Sequence, residues 1–216
     1  TDYIESVRYV VKEAAKQGLL FKDYKIVSWC PRCGTALSSH ELAQGYQDVK
    51  DLSVYVKFKI TSSPDTSPTY IIAWTTTPWT LLGNVALAVG EDIDYLKIKI
   101  NDELLILAKS RLGIIDGEYE IINEFKGKDL IGLEYEPLYP YFKETIPEEE
   151  KSKLDKAYKV YGAKFVTTED GTGVVHTAVM YGQDDFDLGT EIGLPKHHMV
   201  GLDGKYLPGT GSFEGR

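Results

Sequence analysis

The chain has 216 residues, 43% hydrophobic and 12% aromatic with 15 tyrosines, which suits one well-packed domain with an appendage and excludes a disordered segment. Its net charge of −9, from 24 Lys and Arg against 33 Asp and Glu, speaks against gripping nucleic acid by broad phosphate neutralisation. A strand held only at its last nucleotide stays compatible with that balance. No apolar run reaches the roughly 18 residues of a membrane span, no signal peptide opens the chain, and two close cysteines fit a reducing cytoplasm. Without an initiator Met, the chain reads as a piece of something larger.

The first predicted element is a helix over residues 2–17. Ile4, Val7, Val11 and Ala14 recur at helical spacing, Asp2 with Glu5 can form a capping box, and Gly18 supplies the stop. A short strand is expected over Tyr24–Trp29, leading into the Cys30-Pro31-Arg32-Cys33-Gly34 turn. Ser53–Ile60 alternates cleanly, with Val54, Val56, Phe58 and Ile60 on one face. A Ser-, Thr- and Pro-rich loop then leads to a strand at Tyr70–Thr75. Further strands are predicted at Val85–Val89, Tyr95–Ile100 and Glu103–Ala108, the last two forming a hairpin across Asn101-Asp102. Lys128–Pro137 and Ala157–Val166 also alternate. The acidic run Glu144–Lys153 reads as a solvated loop or short helix, and Asp184–Ile192 as a helix closed by Gly193 and Pro195. Many short strands with few helices predict an α+β, β-barrel-like domain.

Two blocks carry the chemistry. Thr75-Thr76-Thr77-Pro78-Trp79-Thr80 sets hydroxyls and an indole at a strand end, followed by Asn84. Gly171–Asp185, GTGVVHTAVMYGQDD, sets His176, Thr177 and the pair Asp184-Asp185 after a glycine-rich bend. β-Branched threonines at a strand end commonly cap turns, His176 fits a core strand, and one aspartate fits a helix cap. Asn84 suits either holding backbone or meeting a ligand. Taken together, however, hydroxyls, a histidine and a free carboxylate suit a reaction in which water attacks and the protein positions the substrate. Cys30-x-x-Cys33 has the spacing of half a zinc knuckle. A structural zinc wants four ligands, with His40 a conceivable third and His197 and His198 distant in sequence, so no metal site is expected from this chain alone.

These blocks resemble the editing domain inserted in isoleucyl-tRNA synthetase, a class I enzyme. WCPRCGTALSSHE resembles the segment leading into the insertion, and WTTTPWTLLGNVALAV and GTGVVHTAVMYGQDDFDLG its two pocket signatures. Valyl and leucyl enzymes carry Arg where Thr77 stands. Leu82 and Val179 depart from prolines common in the family. The resemblance implies residues 1–50 as a helix and lead-in from the synthetase core and 51–216 as the editing domain. It implies hydrolysis of Val-tRNA(Ile), with Asp185 on the α-ammonium, and Thr75, Thr76, Thr77 and Trp79 on ribose, adenine and side chain. His176 would limit side-chain size, and Thr80, Asn84 and Thr177 would line the same pocket. Expected partners are the 3′-terminal aminoacyl-adenosine of tRNA(Ile) and the rest of the synthetase in cis, in a cytoplasmic monomer. Zinc at Cys30 and Cys33 would need ligands from the rest of the parent chain. The motifs of the synthetic active site are absent, so amino-acid activation is not expected. The alternatives are the editing domain of a valyl or leucyl enzyme, and a non-catalytic module docking the acceptor end.

Overall fold

The computed structural model describes residues 2–63 and 65–216. Helix α1, Asp2–Lys16, ends at Gly18 with φ +71 as its spacing predicts. It buries no residue, and Ile4, Val7 and Val11 lie exposed, so its apolar stripe contributes nothing to the core. Asp2 sits inside the first turn of the helix, and no capping box with Glu5 is formed among the described residues. The strand expected at Tyr24–Trp29 reduces to β1, Trp29–Cys30, which pairs with β2, Thr35–Ala36, around the cysteine turn. Apart from Ser28 O, which accepts from Leu37 N–H at 2.8 Å, residues 24–28 run without a ladder partner among the described residues, and apolar alternation cannot make a strand without one. Helix α2, Ser39–Ala43, follows with Ser38 and Glu41 closing a capping box.

The main sheet has five strands in the order β3-β4-β7-β6-β8: β3 Val54–Lys59, β4 Thr69–Thr75, β6 Asp94–Ile100, β7 Glu103–Ala108 and β8 Glu120–Lys126. The predicted β6–β7 hairpin forms, with Ile100 opposite Glu103 and Asn101 at φ 52 in the turn. Strands β4 and β7 pair in parallel, Ile71 beside Ile106. Both faces of the sheet centre are covered, which is why β7 reads as an unbroken apolar run. On one face Ile72, Leu96, Ile98, Leu105 and Leu107 pack together; on the other Phe58, Ile71 and Ile106 join the main core. Strand β8 carries no alternating burial, since all of it except Phe125 is exposed, and its sequence gave no period-2 signal.

The second sheet is β10-β5-β9, with β5 Ala86–Val89, β9 Lys159–Gly162 and β10 Val174–Thr177. Short helices α3, Tyr141–Thr145, and α4, Glu148–Lys151, occupy the acidic run as expected, and α5, Gln183–Ile192, closes at Gly193 with φ +80. The expected α+β class holds. The sheets do not close into a barrel, although residues 133–136 stitch them along one seam. Glu136 N–H donates to Lys59 O at 2.8 Å on the β3 side, and Val160 N–H to Leu133 O at 2.9 Å on the β9 side. Across the other seam Ala108 N–H reaches Thr172 O at 2.8 Å, but no ladder follows.

That second seam depends on the glycine-rich bend. Gly171 has φ +66 and lies where a Cβ would meet Trp74 at 3.0 Å; Gly173 has φ +74 and would drive a Cβ into Ala108. The Gly173 carbonyl accepts from Tyr95 OH at 2.5 Å. Gly173→Ala is expected to cost about 2–4 kcal/mol, summing left-handed strain and overpacking. Urea unfolding checks it: the midpoint should fall at unchanged slope.

Candidate functional site

The two motif blocks meet where β4 ends and β10 begins. Pro78 opens a 3-10 turn over Pro78–Gly83, which lifts Thr80 to within 3.0 Å of the His176 imidazole Nε2. The contact is buried. The Thr80 hydroxyl has one proton and donates it to Thr77 O at 2.8 Å. It must therefore accept from His176, which places the ring proton on Nε2 and leaves Nδ1 a bare acceptor. Nδ1 is buried and has no partner. Burial also drives this imidazole down to about 4, so it is neutral near pH 7. Further contacts join the blocks: Val85 N–H donates to Thr177 O at 3.0 Å, and the Trp79 and Tyr181 rings meet edge-on at 5.4 Å.

The three threonines divide. Thr75 is buried, and its Oγ1 accepts from Thr77 N–H at 3.0 Å and lies 3.2 Å from Thr77 Oγ1. It thus builds the turn, as strand-end threonines commonly do. Thr76 and Thr77 are exposed at the surface of the turn, as is Trp79. Asn84 is buried with its amide engaged inside the protein: Nδ2 donates to Ala86 O at 3.0 Å, and Oδ1 accepts from Tyr135 OH at 2.7 Å. Of its two readings, holding structure is the one observed. Thr177 is fully buried and its hydroxyl has no partner, which removes it from any surface a substrate reaches. Leu82 and Val179, at the two proline positions, are core residues.

Helix α5 takes Gly182, not an aspartate, as its N-cap, and no side chain caps it. Both aspartates instead sit in its first turn, where the positive end of the helix favours them. Asp184 is exposed. Asp185 folds back over Gly182, close enough to exclude a Cβ there, and accepts from the Ala178 amide. Its Oδ1 is buried without a partner. Burial pushes this carboxyl up to about 6; the Asp184 charge adds to the rise and the Ala178 amide opposes it.

Cys30 and Cys33 face each other across the β1–β2 turn, the Cys33 amide donating to Cys30 Sγ at 3.3 Å. Among the described residues no third His, Cys, Asp or Glu joins them as a ligand set. His40 contacts Gln44, His197 contacts Thr145, and His198 meets the Tyr24 and Tyr181 rings edge-on. A cavity of about 830 Å³ lies beyond Trp79 between residues 24–31 and 198–206. Sequence reasoning missed it, because its walls come from segments without a shared period.

Over residues 1–186 the chain matches the family of class I tRNA synthetases (I, L, M and V), and it belongs to that family. It is 52% identical over 207 residues to the isoleucine–tRNA ligase of Clostridium tetani, covering 95% of this chain and 19% of that protein. Identity to the enzyme of Picrophilus torridus is 44% over 215 residues, covering 98% of this chain and 20% of that one. The chain thus spans about a fifth of the length of the curated relatives it matches. The solved structure of GlLeuRS-CP1 shares its fold, with a TM-score of 0.53 at 21% identity over 65% of this chain and 60% of that one.

His176 and Asp185 load the fold with opposite pH dependences. The folded carboxyl of Asp185 holds its proton up to about 6, above the ordinary 3.8, so the folded state binds more protons between those values. Its share of stability is therefore lost as pH rises from 4 to 6. The folded imidazole titrates near 4, below 6.5, so its share is lost as pH falls from 6.5 to 4. Asp185→Asn is expected to remove the first slope and leave stability rising with pH over that window, and His176→Gln the reverse. Denaturant midpoints measured from pH 4 to 7 check both signs.

Proposed function

We propose that this chain is the proofreading unit of an isoleucine-type synthetase, hydrolysing the ester of Val-tRNA(Ile) with a positioned water. Residues 1–50 would lead in from the synthetase core, and 51–216 would form the editing domain. The observation that carries the reading is the Thr80–His176 hydrogen bond at 3.0 Å, which joins the two motif blocks into one wall. The need for such a unit is physical. One methylene discriminates by only about 1–3 kcal/mol in an apolar pocket, and isoleucine against valine is the known case. A second, smaller pocket then hydrolyses what the first admits.

In this proposal Asp185 receives the α-ammonium of the esterified amino acid. Its Oδ1 is a buried acceptor with no protein partner, and a carboxylate costly to bury alone gains most from an arriving cation. Thr76, Thr77 and Trp79 stand at the exposed lip, where ribose and adenine would rest. Thr75 acts through the turn it builds. A neutral imidazole with a depressed pKa is a weak base, so His176 is assigned to shape rather than to proton abstraction. It is enclosed and anchored by Thr80, as a steric gate requires. Thr77, where valyl and leucyl enzymes carry Arg, favours the isoleucine-type reading. Zinc at Cys30 and Cys33 would be a structural group completed by the parent chain, outside this chemistry.

Asp185→Ala in the full-length synthetase is expected to slow Val-tRNA(Ile) deacylation tenfold to a few hundredfold, the worth of one charge-assisted hydrogen bond of about 1.5–3 kcal/mol. Wild-type rates in that variant would remove the assignment. His176→Ala is expected to expose correctly charged Ile-tRNA(Ile) to hydrolysis while valine hydrolysis falls less. Deacylation of both charged tRNAs decides it; equal slowing of both would show that His176 is not the gate.

A further inference from the structure

Unlike the aromatic cleft beyond Trp79, a second cavity, of about 350 Å³, combines charge with an apolar floor. It opens at the start of β4 beside Thr69, about 20 Å along the strand from Thr75. Lys97 lies on its wall, opposite Ile106 of β7 and Asn123 of β8. Directly paired residues share a sheet face, so Lys97 stands on the side of buried Ile106 and Tyr95, the side that builds the main core. A lysine is rarely placed there without a partner. Its partner is Asp65, whose Oδ2 accepts from Lys97 Nζ at 2.7 Å and from the Ser63 hydroxyl at 2.7 Å. Those contacts hold the Asp65 carboxyl below the ordinary carboxylate range. Among the described residues the ammonium has no second acceptor, which leaves the rest of its N–H groups for a ligand. Asn123 accepts from Glu124 N–H through Oδ1, and its Nδ2 is a further spare donor among the described residues. The turn Gly127–Leu130 brings Asp129 to the same cavity. One Asp129 oxygen accepts from Lys126 N–H at 3.0 Å, while the Lys126 ammonium is taken by Asp94. Ile60, Leu130, Leu133 and the Phe125 ring supply the apolar surface.

We propose that this cavity binds a free α-amino acid with an aliphatic side chain, its carboxylate on Lys97 and Asn123 and its ammonium on Asp129. The site is independent of the proofreading assignment. Charge selects the class of ligand. Lys97 and Asp65 cancel, which leaves Asp129 as the uncompensated charge. A bare anion meets that charge with nothing to offset it. A bare amine satisfies Asp129 and leaves the Lys97 and Asn123 donors unused. A zwitterion answers both, and charge-assisted hydrogen bonds are the strong ones. The apolar floor then takes an aliphatic side chain. Size agrees, since the volume lies at the lower end of the roughly 300–1,000 Å³ typical of small-molecule sites. Half-buried ion pairs stabilise a fold weakly, because desolvation offsets their attraction. The spare donors of Lys97 give this pair a role that fold stability does not supply.

The test is titration of this chain with L-leucine, followed by backbone amide chemical shifts. Beside it run 4-methylpentanoate, which lacks the ammonium, and 3-methylbutylamine, which lacks the carboxylate. Leucine is expected to give saturable shifts at Lys97, Asn123 and Asp129, and each half-ligand to bind about tenfold more weakly or worse. Lys97→Met is expected to weaken leucine about tenfold, the loss of one charge-assisted hydrogen bond, and to leave 3-methylbutylamine unchanged. Asp129→Asn keeps an acceptor for Lys126 N–H; it should weaken leucine by a similar factor and leave 4-methylpentanoate unchanged. That second variant decides the matter even where Lys97→Met loosens the contacts of Ser63 and Asp65. Absence of saturable shifts with leucine overturns the proposal. So do leucine shifts confined to Thr77 and His176, L-glutamate binding as tightly as leucine, or wild-type leucine affinity in Asp129→Asn.

Discussion

Everything at the candidate site depends on how closely β10 approaches the ends of β4 and β7. Gly171 and Gly173 permit it, one against Trp74 and the other against Ala108, each in a backbone conformation that side chains resist. Once the bend is made, β10 pairs with β5, with Thr177 opposite Ala86 and His176 opposite Leu87. That register brings the imidazole beneath the 3-10 turn after Pro78, and the Thr80 hydrogen bond follows. A slip of one residue would place Val175 or Thr177 there instead, since successive strand residues face opposite sides.

The groups assembled in this way are poor stabilisers. His176 leaves Nδ1 without a partner, Thr177 its hydroxyl and Asp185 one carboxylate oxygen, all buried. Each such group costs folding free energy, of order 1–3 kcal/mol for an unmade hydrogen bond. The apolar layers around β5 and β7 offset that cost. Tyr158 carries a further buried hydroxyl without a partner, so such atoms occur at the motif blocks and away from them.

Charge is distributed unevenly. Much of the acidic excess sits in solvated elements such as α4 and the outer face of β8, where ion pairs such as Lys109–Glu124 and Lys151–Glu148 are exposed and contribute little. No Asp or Glu lines the aromatic cleft, and burial keeps Asp185 nearly neutral at mildly acid pH. Net charge is thus a weak guide to what one face of the molecule accepts.

The sequence by itself determined the strands whose one face is buried. Val54 to Ile60 and the hairpin across Asn101-Asp102 carry their pattern in local periodicity, and both formed where expected. It also singled out two candidate blocks, because hydroxyls, His and Asp beside glycine bends are legible as residue types. Only the tertiary structure decided which members of those blocks are exposed. Asn84 and Thr177 differ little in sequence from Thr76 and Thr77, yet the first pair is sealed in the core and the second is exposed. Strand β8 and the loss of the Tyr24–Trp29 strand belong to the same class. A strand exists only where a neighbour supplies hydrogen-bond partners, and that neighbour comes from far along the chain. The aromatic cleft was invisible for the same reason: its walls come from residues 24–31, 79 and 180–206, and only folding brings them together.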